Sequence, residues 1–554
     1  MSVLFCSQSC NFLDFDETNS LYTREDMYAY FGQTKSMLTN VYGYMPQDFG
    51  VISNAMRDCG CDDAEFGDPN NIVQNFNNGS WSVTSVMDTQ WGLYNGIRAA
   101  NEFIESIANA DFSRFQYESQ YVNWEKQLKF FPYEARVLRA FYFFELARRY
   151  GDIAMPLERL TTEEANTIGK TAFEDVIDFI VSECDECSEA LPNDYLGEPN
   201  QEYGRVTKGF AMAVKSKALL YAASKLHNPD MDRGKWKESA LAAKDIIDLG
   251  IYRLDPGNKV NNVDSPEVVL CKMNNNSSSF EQNNFPFRFT LGRRTYICGT
   301  YPTQDLVDAF QTINGYDIIL TENGWETDDP DFDIERPYDN RDPRFARTVL
   351  ANGMPFKGSV IETFEGGQDY YTTRDRNTPT GYFLRKYIEE STDFTPEALV
   401  TNKHHWIVYR YAETLLTYAE SMVEAFGDPT YTDGTFTMSA LEALNMVRTN
   451  AGMPPVPVSG KAAFVEALRR EWRVEFAFED HRFWDVRRWC IGHKTQKSVS
   501  GVSITRRETG NGYEYDYERV LCETRIWHDK MNLFPIPQDE LFNNPNLNPQ
   551  NPGW

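Results

Sequence analysis

The chain has 554 residues, in which 54 Lys and Arg face 82 Asp and Glu, so the formal net charge is −28 at pH 7. This acidity disfavours nucleic-acid binding, because a phosphate backbone is held by a basic face that releases its counterions. The apolar share of 41% is ample for a core, and the 78 aromatic residues (37 Phe, 30 Tyr and 11 Trp) are the feature that needs an explanation.

The first 20 residues are polar and lack the features of a complete secretory signal. No Lys or Arg occurs before Arg24 and the longest early apolar run is Val3–Phe5, whereas a signal needs a basic start and about 7–15 apolar residues. Two interpretations of residues 1–20 stay open. They are a frayed polar tail, or the end of a lipoprotein signal in which Cys10 becomes the lipidated residue. No later apolar run reaches the about 20 residues of a membrane span.

Helical periodicity dominates the rest of the chain and predicts four successive helix pairs. The pairs are Arg24–Met45 with Gln90–Ala108, Tyr133–Tyr150 with Ala172–Ala190, Thr207–Leu226 with Trp236–Leu249, and Tyr409–Ala425 with Met438–Asn450. A further amphipathic helix, Ala462–Phe478, follows the fourth pair. In the third pair, Ala211, Ala218 and Ala222 are small enough to let a partner helix approach closely. These units are typical of tetratricopeptide-like arrays, which bury their faces by stacking on neighbours, although no strict 34-residue repeat is present.

Three stretches lack helical periodicity and read as loops with short strands. They are residues 46–89, 255–403 and 491–554, which are rich in Gly, Pro, Asn and Asp as well as aromatic residues. In the long stretch 255–403 the main helical segment is Thr303–Phe310. Binding residues concentrate on loops carried by a rigid scaffold, and a loop region this long is usually functional. We therefore expect a mainly α protein, whose partly β insertion 255–403 forms the ligand face.

Short segments spread over most of the chain carry a further signal. They are Trp91–Asn101, Glu134–Phe143, Gly204–Ser224, Pro302–Phe310, Arg341–Phe345, Arg410–Glu420, Glu475–Trp489, Pro535–Pro537 and Asn544–Trp554. Taken together and in this order, they resemble the SusD/RagB family of surface glycan-binding lipoproteins of Bacteroidota. Cys10 and the four residues after it are similar to the start of the mature lipoprotein.

The resemblance implies one domain over residues 21–554, preceded by a lipoprotein-type tail. Its helical scaffold would comprise residues 21–254 and 404–490, with the ligand face at 255–403 and a loop and strand segment at 491–554. It also implies a non-enzymatic role without a cofactor: capture of oligosaccharides at the extracellular face of the outer membrane for polysaccharide utilization. The expected partner is a SusC-like TonB-dependent transporter, and membrane attachment would be through the lipid anchor alone.

A sugar site needs flat aromatic side chains for the apolar C–H faces and polar groups at the rim. The loops offer four such aromatics, Trp81, Tyr296, Tyr301 and Trp325, and we expect these to contact the ligand. Asn78 and Arg293 are the accompanying candidates for hydrogen bonds. The alternative interpretation is that the four rings pin long loops to the scaffold.

Two other functions compete with glycan binding. A tetratricopeptide-type scaffold would bind a protein or peptide on its helices. A glycoside hydrolase would need two carboxylates held about 5 Å or roughly 6.5–9.5 Å apart, and the sequence singles out no such pair among 82 acids. No catalytic residue is therefore predicted. No metal is predicted either, because Cys184-x-x-Cys187 has no second pair and the acids of Asp328–Asp333 read as solvated loop residues. Cys59-x-Cys61 lies in a Gly/Asp-rich loop, and its role is undetermined.

Overall fold

A computed structural model of the chain describes residues 24–197, 202–257, 262–294, 298–373, 376–510 and 512–554. Cys10 and Tyr296, two of the residues singled out above, lie outside these ranges. No helix within them combines the length and the apolar content that crossing a membrane requires.

The first part of the chain is a row of helices in which each long helix packs against the next. Its helices are α1 (Arg24–Met27), α2 (Phe31–Gly43), α3 (Leu93–Ile107), α4 (Tyr121–Leu128), α5 (Phe131–Tyr150), α6 (Thr162–Ala165), α7 (Phe173–Ala190), α8 (Lys208–Ala223) and α9 (Arg233–Leu249). Its strands are β1 (Ala64–Phe66), β2 (Ile153–Ala154) and β3 (Lys170–Thr171). Packing runs from α2 to α3, α5, α7, α8 and α9, which confirms the first three predicted pairs.

The insertion between α9 and the next long helix is built from short elements. They are β4 (Val268–Lys272), β5 (Asn276–Ser277), α10 (Ser279–Asn284), β6 (Thr300–Pro302), α11 (Gln304–Val307), β7 (Ile318–Thr321), β8 (Gly324–Thr327), α12 (Phe345–Thr348), β9 (Val349–Leu350), β10 (Pro355–Phe356), β11 (Ser359–Val360), β12 (Phe383–Leu384), β13 (Asn402–Lys403) and β14 (Trp406–Arg410). Strands β4 and β14 pair antiparallel, so the insertion leaves and rejoins the scaffold at one ladder. Strand β6 pairs with β1, which fastens the insertion to the loop 46–89.

The C-terminal part resumes the helical row and ends in a hairpin. Its elements are α13 (Tyr411–Phe426), α14 (Ala440–Asn450), α15 (Lys461–Glu475), α16 (Arg482–Arg488), α17 (Gly492–Thr495), β15 (Ser498–Thr509), β16 (Gly512–Thr524) and α18 (Gln538–Asn543). Helix α13 packs against α9, α14 and α15, and this confirms the fourth pair. The expectation of short strands here was wrong, since β15 and β16 have 12 and 13 residues and pack on α11, β7 and β8.

Small residues explain the close packing of α9 on α13 across the insertion. Ala240, Ala243, Ala412 and Ala419 are fully buried at this interface, and the hydroxyls of Ser239 and Ser421 are 2.8 Å apart. Side chains of this size let two backbones approach while keeping polar groups paired. The helical row is therefore continuous in space, although the insertion interrupts it in sequence.

Arg410, at the end of β14, joins the insertion to the scaffold. Its side chain is 1% exposed and donates hydrogen bonds to Glu267 at 2.6 Å, Glu475 at 2.6 Å and Glu479 at 2.7 Å. Burial alone would raise the pKa of Glu475, but Arg410 and Arg344 lower that pKa to about 2. One guanidinium thus holds together the start of β4, the end of α15 and the turn after it.

Candidate functional site

Trp81, predicted to stack on a sugar, lies in the core. It is 2% exposed, and its ring centroid lies 4.7 Å from that of Phe76, 4.8 Å from that of Phe534 and 4.9 Å from that of Trp554. A ring enclosed in this way has no free face for a ligand. The structure therefore corrects the assignment of Trp81 and favours the alternative, in which this ring anchors its loop to the C-terminal segment.

Tyr301 and Trp325 are buried as well, at 1% and 5% exposure. The hydroxyl of Tyr301 donates to the carbonyl oxygen of Cys298 at 3.0 Å and accepts from Arg294 at 2.6 Å. The ring of Trp325 lies against Tyr338 and Tyr517. Both side chains are enclosed by neighbouring residues of the protein, so neither offers a free ring face on which a sugar could stack. Their assignment as ligand contacts is corrected for the same reason as that of Trp81.

The two polar candidates, Asn78 and Arg293, are exposed and stand at separate places. Among the residues that the structure describes, the side chain of Asn78 accepts hydrogen bonds from Ser80 alone, in its own turn. The guanidinium of Arg293 lies 5.9 Å from the ring centroid of Phe394. Among the described residues no contact joins Asn78 to Arg293, so the structure does not bring them into one site.

Two aromatic side chains that reach the surface meet between two loops of the insertion, Phe287 on the loop that carries Arg293 and Tyr371 on a later loop. Phe287 and Tyr371 are half-buried, with ring centroids 5.6 Å apart and planes at 74°. The guanidinium of Arg376 lies 4.8 Å from the centroid of Phe287. Two perpendicular rings with a cation beside them provide an apolar surface and hydrogen-bond donors at its edge.

An ion pair fixes the position of these two loops. Arg288 Nε donates to Asp369 Oδ1 at 2.7 Å, and its Nη1 donates to the hydroxyl of Ser359 at 3.0 Å. The backbone N–H of Glu362 donates to the second oxygen of Asp369 at 3.0 Å. Burial raises the pKa of Asp369, and the bond from Arg288 counteracts that rise. Because Asp369 is fully buried, the loop that carries Tyr371 is held rigidly beside Phe287.

The loop that contains Asp369 also meets the C-terminal hairpin. Residues Tyr513, Tyr515 and Tyr517 alternate along β16 and so share one face. The ring of Tyr515 lies 5.5 Å from that of Phe364, and the guanidinium of Arg506 lies 4.4 Å from the rings of both Phe364 and Tyr513. Exposure is greatest at the tip, where Tyr513 is 56% exposed.

We call this combined surface the aromatic face. It consists of the partly exposed rings of Phe287, Tyr371, Tyr513 and Tyr515, with Arg376 and Arg506 beside them. Phe364 is 2% exposed and supports this surface by packing against Tyr515. Rings of this kind offer flat apolar area with a polar handle on each Tyr, and the arginines offer rigid donors. The sequence signal that could have found part of it was the Tyr-x-Tyr-x-Tyr alternation of β16. Nothing in the sequence marked Phe287 or Tyr371.

A cavity of about 770 Å³ lies elsewhere, between α12, residues 385–390 and the end of α15. Half of its fourteen described lining residues are charged, and the one aromatic residue among them, Tyr387, is 2% exposed. Several of its charges pair within the protein, as Arg385 does with Glu390 and Arg344 with Glu475. The aromatic face is therefore better suited than this cavity to an uncharged ligand with apolar faces.

Known proteins of similar fold cover almost the whole chain. A SusD-like protein of Bacteroides fragilis is 24% identical and matches 96% of this chain and 99% of its own, with a TM-score of 0.76. Another structure from that species, described as a SusD-like carbohydrate-binding protein, is 25% identical over 94% and 100% of the two chains, with a TM-score of 0.73. A laminarin-binding SusD-like protein is 22% identical over 94% and 99%, with a TM-score of 0.59.

Sequence comparison leads to the same group of proteins. Two SusD-like proteins of Formosa agariphila are 24% identical over 76% of this chain and 73% of theirs, and 22% identical over 98% and 96%. The sequence model described as "starch-binding associating with outer membrane" matches residues 11–220. The model of the SusD family matches residues 266–554, just over half of the chain. The chain therefore belongs to the SusD family.

Proposed function

We propose that the protein is a non-catalytic glycan-binding protein of the cell surface, which passes oligosaccharides to a SusC-like TonB-dependent transporter. Family membership supports this proposal, together with the carbohydrate named for one structural relative and the laminarin named for another. The description "associating with outer membrane" for the matched family supports the location. In this proposal a lipid on Cys10 holds the chain at the extracellular face of that membrane.

The residues that we propose to contact the glycan are those of the aromatic face. Its rings are the right size to cover the C–H faces of pyranose units, and Arg376 and Arg506 supply donors for hydroxyl or carboxylate oxygens. The Arg288–Asp369 pair holds its two insertion loops in place before a ligand arrives, which lowers the entropy cost of binding. Asn78 and Arg293 remain proposed contributors at its margins.

Calorimetry with a panel of neutral and acidic oligosaccharides tests this assignment. We expect Tyr371→Ala and Tyr515→Ala each to weaken binding of the best ligand by about tenfold or more, since about 1.4 kcal/mol of lost contact corresponds to tenfold. Tyr117→Ala and Phe542→Ala are matched controls, because these aromatics are 91% and 71% exposed outside the aromatic face. Equal loss in all four variants, or no ligand in the panel, would contradict the proposal.

Three further measurements test its other parts. Incubation with a bound oligosaccharide should yield no shorter product, and release of product would favour a glycoside hydrolase. Affinity purification of the native protein from membranes should recover a TonB-dependent transporter. Mass spectrometry should find a lipid on Cys10. A ligand that maps to the helices instead of the loops would favour the protein-interaction scaffold.

A further inference from the structure

The turn that precedes β1 concentrates buried acids. Residues Arg57–Gly60 form one turn of 3-10 helix, all of it buried, and Cys61, Asp62 and Asp63 continue from it into β1. In a 3-10 turn, side chains three residues apart lie one above the other, so Asp58 and Cys61 share one side. The thiol of Cys61 donates a hydrogen bond to the backbone carbonyl oxygen of Asp58 at 3.2 Å, which holds Cys61 Sγ over this turn.

Three of these side chains converge. Asp58, Cys61 and Asp63 each contribute one donor atom to a group whose members lie within 4.8 Å of one another. A tetrahedral zinc ion with bonds of about 2.0–2.3 Å has ligand atoms roughly 3.3–3.8 Å apart. Small side-chain movements toward a common centre would close this difference.

A second, independent observation is that these acids lack partners. Both carboxylate oxygens of Asp58 and one oxygen of Asp63 are buried without a hydrogen-bond donor. One oxygen of the neighbouring Asp48 is also buried without a hydrogen-bond donor. Buried carboxylates are normally paired, since an isolated buried charge is very costly. One carboxylate oxygen of Asp58, both of which are unsatisfied, belongs to the group that the three side chains form.

The surrounding arginines do not neutralise Asp58. Arg473 pairs with Asp62 and Asp63, and Arg482 pairs with Asp62. Arg57 pairs with Asp48, Asp88 and Asp480. Within the described part of the chain, Asp58 is left without an ion pair.

We propose that Asp58, Cys61 and Asp63 bind a divalent metal ion of the zinc type. Two carboxylates and a thiolate suit a borderline-soft ion, whereas calcium and magnesium prefer oxygen donors alone. Binding displaces the thiol proton of Cys61 to solvent, because the thiolate is the ligand. The bound ion supplies the positive charge that Asp58 lacks. Because the three ligands come from the turn and from the residues that lead out of it, the ion would fix the path of the chain into β1.

No metal is predicted from the sequence, in which the role of Cys59-x-Cys61 stays undetermined. Asp-x-x-Cys-x-Asp matches no common zinc pattern, and the Gly/Asp composition of this loop resembles an ordinary turn. Only the burial of the turn and the missing partners of its carboxylates distinguish the site.

Metal analysis of the full-length purified protein tests the proposal. We expect about one zinc per chain by mass spectrometry of the metal content. A chelator should lower the melting temperature, and added zinc should restore it. Cobalt substitution should produce a thiolate-to-cobalt charge-transfer band in the near ultraviolet. Cys61→Ser should abolish this band and the zinc content.

Cys59→Ser is the matched control, because Cys59 is equally buried two residues away but does not belong to the converging group. It should retain the metal. Should Cys61→Ser fail to fold, the metal content and the chelator response of the unaltered protein still decide the question. A protein without metal that does not respond to added zinc would overturn the proposal. So would equal metal content in the two Cys variants, or an Asp58→Asn variant that is more stable than the parent, since neutral carboxyl groups would then account for the cluster.

Discussion

Replacing Arg410 by Met should destabilise the protein more than any ordinary surface change. Met has a similar length, so the substitution removes the charge without opening a large cavity. Glu479 keeps its ion pair with Lys386, and Glu475 keeps Arg344 at 2.7 Å. Glu267 is left with the backbone N–H of Asp255 at 3.0 Å and no ion pair.

The expected loss of stability follows from the charge of Glu267, which is left without an ion pair. Breaking a buried ion pair by removing one partner costs about 3–5 kcal/mol, so the free energy of unfolding should fall by this amount. Urea denaturation followed by tryptophan fluorescence measures it. Arg507→Met is the control, since Arg507 pairs with exposed Asp516 and Glu514 at the hairpin, and it should leave stability unchanged. A loss below about 1 kcal/mol for Arg410→Met would refute the reasoning.

The ion pair between Arg410 and Glu475 also predicts how the stability difference between the parent and Arg410→Met depends on pH. The folded protein holds the pKa of Glu475 at about 2, below the value of about 4.3 expected when unfolded. A lowered pKa stabilises the folded state above the unfolded value, and this stabilisation is lost as the pH falls toward 2. The part of the stability gap between the parent and Arg410→Met that Glu475 contributes should therefore disappear between about pH 4 and pH 2. A constant gap would show that Arg410 does not set the pKa of Glu475.

Two further predictions concern packing and acid stability. Gly67→Ala should lower the free energy of unfolding by about 1–3 kcal/mol, because its Cβ would lie 2.6 Å from the carbonyl oxygen of Cys298. Gly169→Ala is the control in thermal denaturation, since no atom of the described residues lies within 4 Å of its added Cβ. Equal effects of the two substitutions would contradict this account. The ring centroid of His227 lies 3.6 Å from that of Phe173, and burial lowers the pKa of His227 to about 3. The folded state therefore keeps this imidazole neutral until the pH falls to about 3. The unfolded chain takes up that proton first as the pH falls below about 6.5. His227→Phe should therefore lose less stability than the parent between pH 6.5 and 3, and parallel curves would exclude the mechanism.

The helical scaffold could be predicted because its information is local. Apolar residues three and four apart define each helix face, and runs of Ala such as those of α8 indicate where a neighbour packs. The same reasoning located α11 within Thr303–Phe310, where the side chain of Thr303 accepts a hydrogen bond from the backbone N–H of Leu306.

Three of the four predicted aromatic ligand contacts, Trp81, Tyr301 and Trp325, are buried for a physical reason. Trp81 follows a polar turn, which suggested exposure, but its ring is covered by Phe534 and Trp554 from the opposite end of the chain. Trp325 is covered in the same way by Tyr517 of β16. Burial of a loop aromatic depends on partners that local composition does not reveal. The rings of the aromatic face were missed for the converse reason, since the residues around Phe287 and Tyr371 do not reveal that their rings stay partly uncovered.

The pairing of β4 with β14 has a consequence for how relatives of this protein diverge. Because the two ends of the insertion meet at one ladder, its length can change without altering the distance between α9 and α13. Closing a flexible loop twice as long costs only about 0.6 kcal/mol more. Insertions between these two strands should therefore cost little stability. The ligand preference of this architecture can change in this way while its helices stay the same.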